Sequence, residues 1–380
     1  MSSHMCRFLL FLLFTSSMVA CRKDPAVSPS DEEYVDKPDT LPSSYAGFYV
    51  LNEGNMGSNK ASIDFYNYNT GVYKRNIYSE ANPDVVKELG DVGNDIQVYG
   101  SKAYAVINMS NKVEVFDAYT IKRIGQIEVP NCRYVTFYKG KAYVSSYAGY
   151  VGDPASPLGY VAEIDTASLK ITRTATVGYQ PEEMEIVKGK LYVANSGGYR
   201  YPNYDRTVSV IDLATFKETK KIDVAINLDR IKKDAYGDLY VTSRGDYFDI
   251  GSKLFIIDTK TDKVKDSLPI AASNLAIQGD SAYIYSVEWN NTAGGNTISY
   301  AIVNVKTESI VTRNFITDGT DKQIQIPYGL LINPLTHDIY IADAKDYVTP
   351  GTLYCFDKTG KLKWRVTTGD IPGHFALLRN

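Results

Sequence analysis

The sequence predicts an all-β protein, a seven-bladed β-propeller whose C-terminal strand completes blade one. Three observations carry this prediction. One strand pattern recurs seven times, tight polar turns occupy fixed places within each copy, and the C-terminus resembles the strand that the first copy lacks.

The recurring pattern is an apolar strand with Tyr near its start, as in Phe48-Tyr49-Val50-Leu51-Asn52 and Leu191-Tyr192-Val193-Ala194-Asn195. The key residues are Tyr49, Tyr104, Tyr143, Tyr192, Tyr240, Tyr283 and Tyr340, roughly 40 to 57 residues apart, close to the period of propeller blades. An apolar strand precedes most copies and closes on a polar, glycine-containing turn such as Lys139-Gly140-Lys141 or Lys188-Gly189-Lys190, a hairpin signal. A variable segment follows, then a third strand that ends on Asp117, Asp165, Asp212, Asp258 or Asp357. Aspartate at such a place accepts hydrogen bonds from the backbone of its own turn, so this ladder reads as structural rather than catalytic. A fourth strand comes next, as at residues 220–224, and four strands repeated radially make a blade. The seven tyrosines read as core or interblade packing.

The first copy begins at Gly47 directly on its second strand. The chain ends with Ile371-Pro372-Gly373-His374, which resembles the first strands opening at Gln180-Pro181-Glu182-Glu183 and Ile326-Pro327-Tyr328-Gly329. The last strand is therefore expected to close the ring, which removes two exposed sheet edges. The propeller domain is placed at residues 45–380. Ahead of it, residues 1–21 read as a lipoprotein signal. Arg7 precedes an apolar run from Phe8 to Phe14 that is too short to span a bilayer, and Met18-Val19-Ala20-Cys21 resembles a lipobox with Cys21 as the lipidated residue. An ordinary cleaved signal peptide is the alternative. Residues 22–44, with Pro25, Pro29, Pro38 and Pro42, read as a flexible tether. The expected location is the outer membrane, held by the lipid and exposed at the cell surface. Cys132 and Cys355 fall in non-neighbouring copies and are expected to be free and buried.

Composition excludes several functions. A net charge of −3 with 22% charged residues offers no basic stripe for nucleic acid. Three histidines, His4, His337 and His374, do not assemble a histidine-based metal site or a catalytic triad, and neither a cofactor nor a catalytic set is assigned. The unusual figure is 31 Tyr against 13 Phe and 2 Trp. Beyond the seven repeat positions, much of that surplus lies in long, Gly/Pro-rich segments between second and third strands, all at one end of the propeller. Strand propensity does not explain it there, and variable loops on a rigid scaffold are where binding resides. The candidate ligand-binding residues in these segments are Tyr147, Tyr150, Tyr199, Arg200, Tyr201, Tyr204, Arg244, Tyr247, Phe248, Trp289, Asn290 and Tyr347, with Asn55 after the first repeat strand. The interblade links aim polar residues at the same rim, among them Asn94, Asp95, Arg133, Glu183, Asn274 and His374. Aromatic rings over mixed donors and acceptors suit a large, partly apolar ligand such as a corrinoid or a glycan. The alternative is that the loops pack their own rings as compact lids. Glu183, Asp229 and His374 would be the groups to carry acid–base chemistry if the protein were a hydrolase.

The strand from Tyr192 to Asn195, followed by Ile211, Asp212 and Thr215, resembles the YVTN-repeat (YncE-like, surface-layer type) propellers. The first copy, Tyr49-Val50-Leu51-Asn52-Glu53-Gly54-Asn55, together with the lipobox, resembles a Bacteroidota branch of lipoprotein propellers that includes the BtuG-type surface proteins. That resemblance implies capture of cobalamin or another corrinoid and its delivery to a TonB-dependent outer-membrane transporter. It covers nearly all of the chain after the tether, and its motifs specify the fold more closely than the ligand. A surface-layer or glycan-adhesion role without transport, and a metal-dependent lactonase-like activity, remain the alternatives.

Overall fold

A computed structural model describes residues 31–37 and 44–380, apart from 87, 154 and 291–293. Cys21 and the rest of the expected signal lie outside the described residues. Among those described, no helix is long and apolar enough to cross a membrane.

The chain forms seven antiparallel sheets, six of four strands and one of five. The innermost strands are Pro372–Arg379, Gly93–Tyr99, Cys132–Tyr138, Pro181–Val187, Leu228–Lys233, Asn274–Gln278 and Pro327–Ile332, for blades one to seven in order. Each touches its neighbour on either side, so the sheets stand around an axis as a closed ring. The fold is the seven-bladed propeller read from the sequence. The closing strand Pro372–Arg379 pairs with Tyr45–Asn52, setting Tyr49 opposite Ala376 and Leu51 opposite His374.

The core lies between blades. All seven repeat tyrosines are buried. In three of them the hydroxyl explains why Tyr stands where Phe would fill the space: Tyr49 donates to the Ala118 carbonyl, Tyr192 to Asp262 at 2.7 Å, and Tyr240 to the Val305 carbonyl at 3.1 Å, whereas the Tyr104 hydroxyl is buried without a hydrogen bond among the described residues. In those three the ring packs within the interblade core and the hydroxyl reaches a turn of the next blade, pairing an apolar body with a polar tip. The aspartate ladder is structural. Asp117 accepts the Thr120 amide at 2.8 Å, Asp212 the Thr215 amide at 2.8 Å, and Asp357 the Thr359 amide at 2.7 Å. Cys132 and Cys355 are free and buried.

Part of the stretch read as a tether is ordered. Glu32–Tyr34 runs antiparallel to Val72–Lys74 as a fifth, outermost strand of blade one. Lys74 bridges to Glu32 at 3.1 Å, and Tyr66 donates to the Asp36 carbonyl. This strand covers an edge that the three-residue Val72–Lys74 would otherwise leave open.

Candidate functional site

Inner strands begin, and second strands end, at the face that carries the long loops. Near this end six of the seven inner strands have one residue more than their partner. Pro181 pairs with Asn195 but Met184 with Val193, and Leu228 pairs with Ser243 but Ile231 with Val241. The same slip recurs in blades one, two, three and seven. An extra residue bends the strand and re-aims its side chains, here at the axis. Neighbouring hydroxyls accept the displaced amides: Ser145 takes that of Tyr134 at 3.1 Å and Thr242 that of Arg230 at 3.0 Å.

Two of the polar residues expected at the rim fasten blades together. Asp95 accepts the Val135 amide of the next blade at 2.9 Å, and Glu183 accepts the Ile231 amide at 2.9 Å and Lys232 Nζ at 2.6 Å. Burial raises the Asp95 carboxyl above its ordinary range. At the centre Glu182 is buried and accepts from Arg133 Nε at 3.0 Å, Arg244 Nη1 at 3.3 Å and the Tyr147 hydroxyl. Burial alone would raise Glu182, but Arg133 and Arg244 outweigh it and hold the carboxyl below its ordinary value. Arg244 also pairs with Asp229 at 2.9 Å. Burial wins at Asp229, whose carboxyl lies above the ordinary range although Arg244 and Arg230 oppose the shift. His374 and Tyr328 both meet Glu53, each at 3.1 Å.

Above this charged floor is a cavity of about 740 Å³. Its lining comes chiefly from blades five to seven, with Glu53, Asn94, Arg133 and Tyr134 from blades one to three. The Arg244–Ser252 loop forms one wall. A hairpin forms another, made by Ser281–Asn290 and Gly295–Asn304, whose ladder runs on to Trp289 opposite Asn296. The stretch around Trp289, expected as a loop, is thus a strand that rises above the face. Tyr134, Tyr285 and Tyr328 lie at the cavity's inner side, while Tyr247, Phe248, Trp289 and Tyr347 stand around its mouth with much of their rings exposed. Such a mixture of rings with a few convergent charges is the make-up of small-molecule sites.

Of the residues marked in the sequence, Asn94, Arg133, Arg244, Tyr247, Phe248, Asn274, Trp289 and Tyr347 line the cavity. The others do not. Tyr147 is buried beneath it, its ring under Arg133 at 4.9 Å. His374 is buried behind Glu53, and Asn55 donates to the Tyr347 carbonyl. Tyr150, Tyr199 and Tyr201 are exposed on blades three and four, outside the cavity. Arg200 lies over the Tyr179 ring at 3.7 Å, and Tyr204 donates to the Asp246 carbonyl at 3.3 Å. Asn290 ends the rising strand, and its side chain lies outside the described residues. Glu53, Tyr134, Arg230, Tyr285 and Tyr328 line the cavity without having been marked. No three His, Cys, Asp or Glu among the described residues are placed to hold a metal ion.

Residues 46–370 match the family model described as "Domain of unknown function (DUF5074)". The chain belongs to this family. No curated protein matches it. Among solved structures, it is similar to a quinonprotein alcohol dehydrogenase-like protein of Bacteroides thetaiotaomicron, with a TM-score of 0.62 and 16% identity over 88% of this chain and 78% of that one. It is also similar to Kuenenia stuttgartiensis hydrazine synthase, at 0.59 and 17% over 74% and 88%. The computationally designed Ika8 protein matches at 0.50 and 10%, over 74% and 89%. At these identities the likeness is one of fold. For a family of unknown function, the cavity itself must carry the functional argument.

Proposed function

We propose that this member of the family is a ligand-capturing propeller whose long-loop face takes a large, ring-bearing small molecule. The observation that carries the reading is the cavity of about 740 Å³, with aromatic side chains at its mouth and ion-paired arginines at its floor. Its size and lining are those of a site that encloses a drug-sized molecule. A larger molecule would also rest on the rings of Tyr201 and Phe248, whose centroids are 5.4 Å apart beside the mouth. The resemblance to BtuG-type lipoproteins makes cobalamin or another corrinoid the first candidate. It adds an anchor at Cys21, exposure at the outer membrane and hand-over to a TonB-dependent transporter.

Titration of the purified protein with cyanocobalamin, followed by calorimetry, tests the reading. Saturable binding at micromolar ligand or below, weakened by Trp289→Ala, is the expected result. No binding at that concentration would overturn the corrinoid assignment. A glycan array that gives the only signal would move the reading to surface adhesion.

A further inference from the structure

Three arginines meet at the cavity floor, and they are not equivalent. Arg133 and Arg244 hydrogen-bond to Glu182, and Arg244 also pairs with Asp229. Arg230 is different. Its guanidinium makes no hydrogen bond to any described residue, and its nearest carboxylate oxygens, on Asp229 and Glu183, lie 3.7 and 3.9 Å away. The backbone of Arg230 is held by Thr242, and the guanidinium rests over the Tyr134 ring at 5.0 Å. Only 12% of the side chain is exposed, and that part lines the cavity. A guanidinium has five N–H donors in a planar fork and no acceptor. Buried donors are almost always paired, and an exception calls for a partner that arrives from elsewhere.

Two hydroxyls beside it are already engaged. The Tyr285 hydroxyl donates to the Tyr328 carbonyl, and the Tyr328 hydroxyl donates to Glu53 at 3.1 Å. Among the described residues, the cavity floor thus has one guanidinium that makes no hydrogen bond, beside the buried Oδ1 of Asp229, which likewise makes none, with aromatic surface between it and the mouth.

We propose that the ligand of this cavity carries an anionic acceptor group, a carboxylate, phosphate or sulfonate, that seats on Arg230 while its ring system lies against Trp289 and Tyr347. The inference rests on the binding reading above and adds the chemical class of the ligand. A planar oxyanion matches the guanidinium fork with two parallel hydrogen bonds, and stacking on Tyr134 fixes the plane of that fork. The two carboxylates near 4 Å balance the charge of Arg230 without using its donors.

Two dyes with the same rings serve as probes: 8-anilinonaphthalene-1-sulfonate and the neutral N-phenyl-1-naphthylamine. The unaltered protein should bind the sulfonate about ten-fold more tightly or better, the worth of a charge-assisted hydrogen bond. Benzoate should displace the sulfonate dye, and benzyl alcohol should not. Arg230→Met should bring the two dyes to within about two-fold of each other, whereas Trp289→Ala should weaken both alike. Arg230→Lys keeps the charge but loses the fork. It should reduce the preference, and it provides the reading if Arg230→Met no longer melts cooperatively. Equal affinity for the two dyes, both weakened by Trp289→Ala, would overturn the anion seat and leave the binding cavity standing. A preference unchanged in both Arg230 variants would also overturn it. Binding of neither dye would overturn the seat and the binding reading together.

Discussion

Replacing Glu182 by Gln should destabilise the protein by about 3 kcal/mol at neutral pH, because it removes the carboxylate between two buried arginines. Glu182 is 1% exposed and meets Arg133 at 3.0 Å and Arg244 at 3.3 Å. Breaking a buried ion pair from one side costs about 3–5 kcal/mol, chiefly because the charge left behind is unpaired. Arg244 keeps Asp229 at 2.9 Å, so the loss falls mainly on Arg133 and the lower end applies. The pH dependence follows from the direction of the shift. The two arginines outweigh burial and hold the Glu182 carboxyl below its ordinary 4.5 in the native state. A depressed native value gives stability that is complete above the unfolded-state value and lost as pH falls through the native one. The gap between wild type and E182Q should therefore be constant from about pH 7 to pH 5.5 and shrink below about pH 4.5. Urea unfolding at several pH values measures it. A gap under about 1 kcal/mol at pH 7, or one that persists unchanged at about pH 3, would refute the reasoning.

Three further outcomes are expected. Deleting residues 371–380 removes the inner strand of blade one, and the protein should lose its cooperative melt and elute as aggregate in size-exclusion chromatography. Gly245 has φ +66, and an added Cβ would lie 1.8 Å from the Ile250 carbonyl oxygen, so Gly245→Ala should displace the Arg244–Ser252 wall. That variant should weaken dye binding at the cavity by about ten-fold while its melting temperature falls by only a few degrees. Burial pushes the Cys132 thiol up to about 12 and raises that of Cys355 as well. Both should resist a maleimide at pH 8 until guanidinium unfolds the chain, as peptide mass spectrometry would register.

The scaffold was legible because its signals are local and repeated. Tyr192 and its six counterparts, the aspartates that close the third strands, and the strand around His374 each follow from spacing along the chain. The face of the site was legible too, since loop length and composition mark it. The cavity floor was legible only in part: Arg133, Asp229 and Arg244 were marked, but Tyr134 and Arg230 were not. Tyr134 and Arg230 lie within strands rather than loops, and only the extra residue at each strand's start turns them to the axis. A signal was present: charged or aromatic residues stand at the head of inner strands that would otherwise be apolar, at Arg133-Tyr134, Glu182-Glu183, Asp229-Arg230 and Tyr328. Register slips of one residue depend on pairing across the sheet, which the sequence of a single strand does not reveal. Tyr147 misled for the complementary reason. It begins a glycine-rich loop, yet its hydroxyl bonds to Glu182 and its ring sits beneath Arg133.

The closing strand has a consequence for the order in which the molecule is made. Blade one takes its inner strand from Pro372–Arg379, which is synthesised after every other strand of the ring, and that strand also brings His374 to Glu53. Six blades can pair as they emerge, but the ring stays open and the Glu53 corner of the cavity unfinished until residue 379 has been added. The ring therefore closes only after all seven blades have been made, however early each blade pairs within itself.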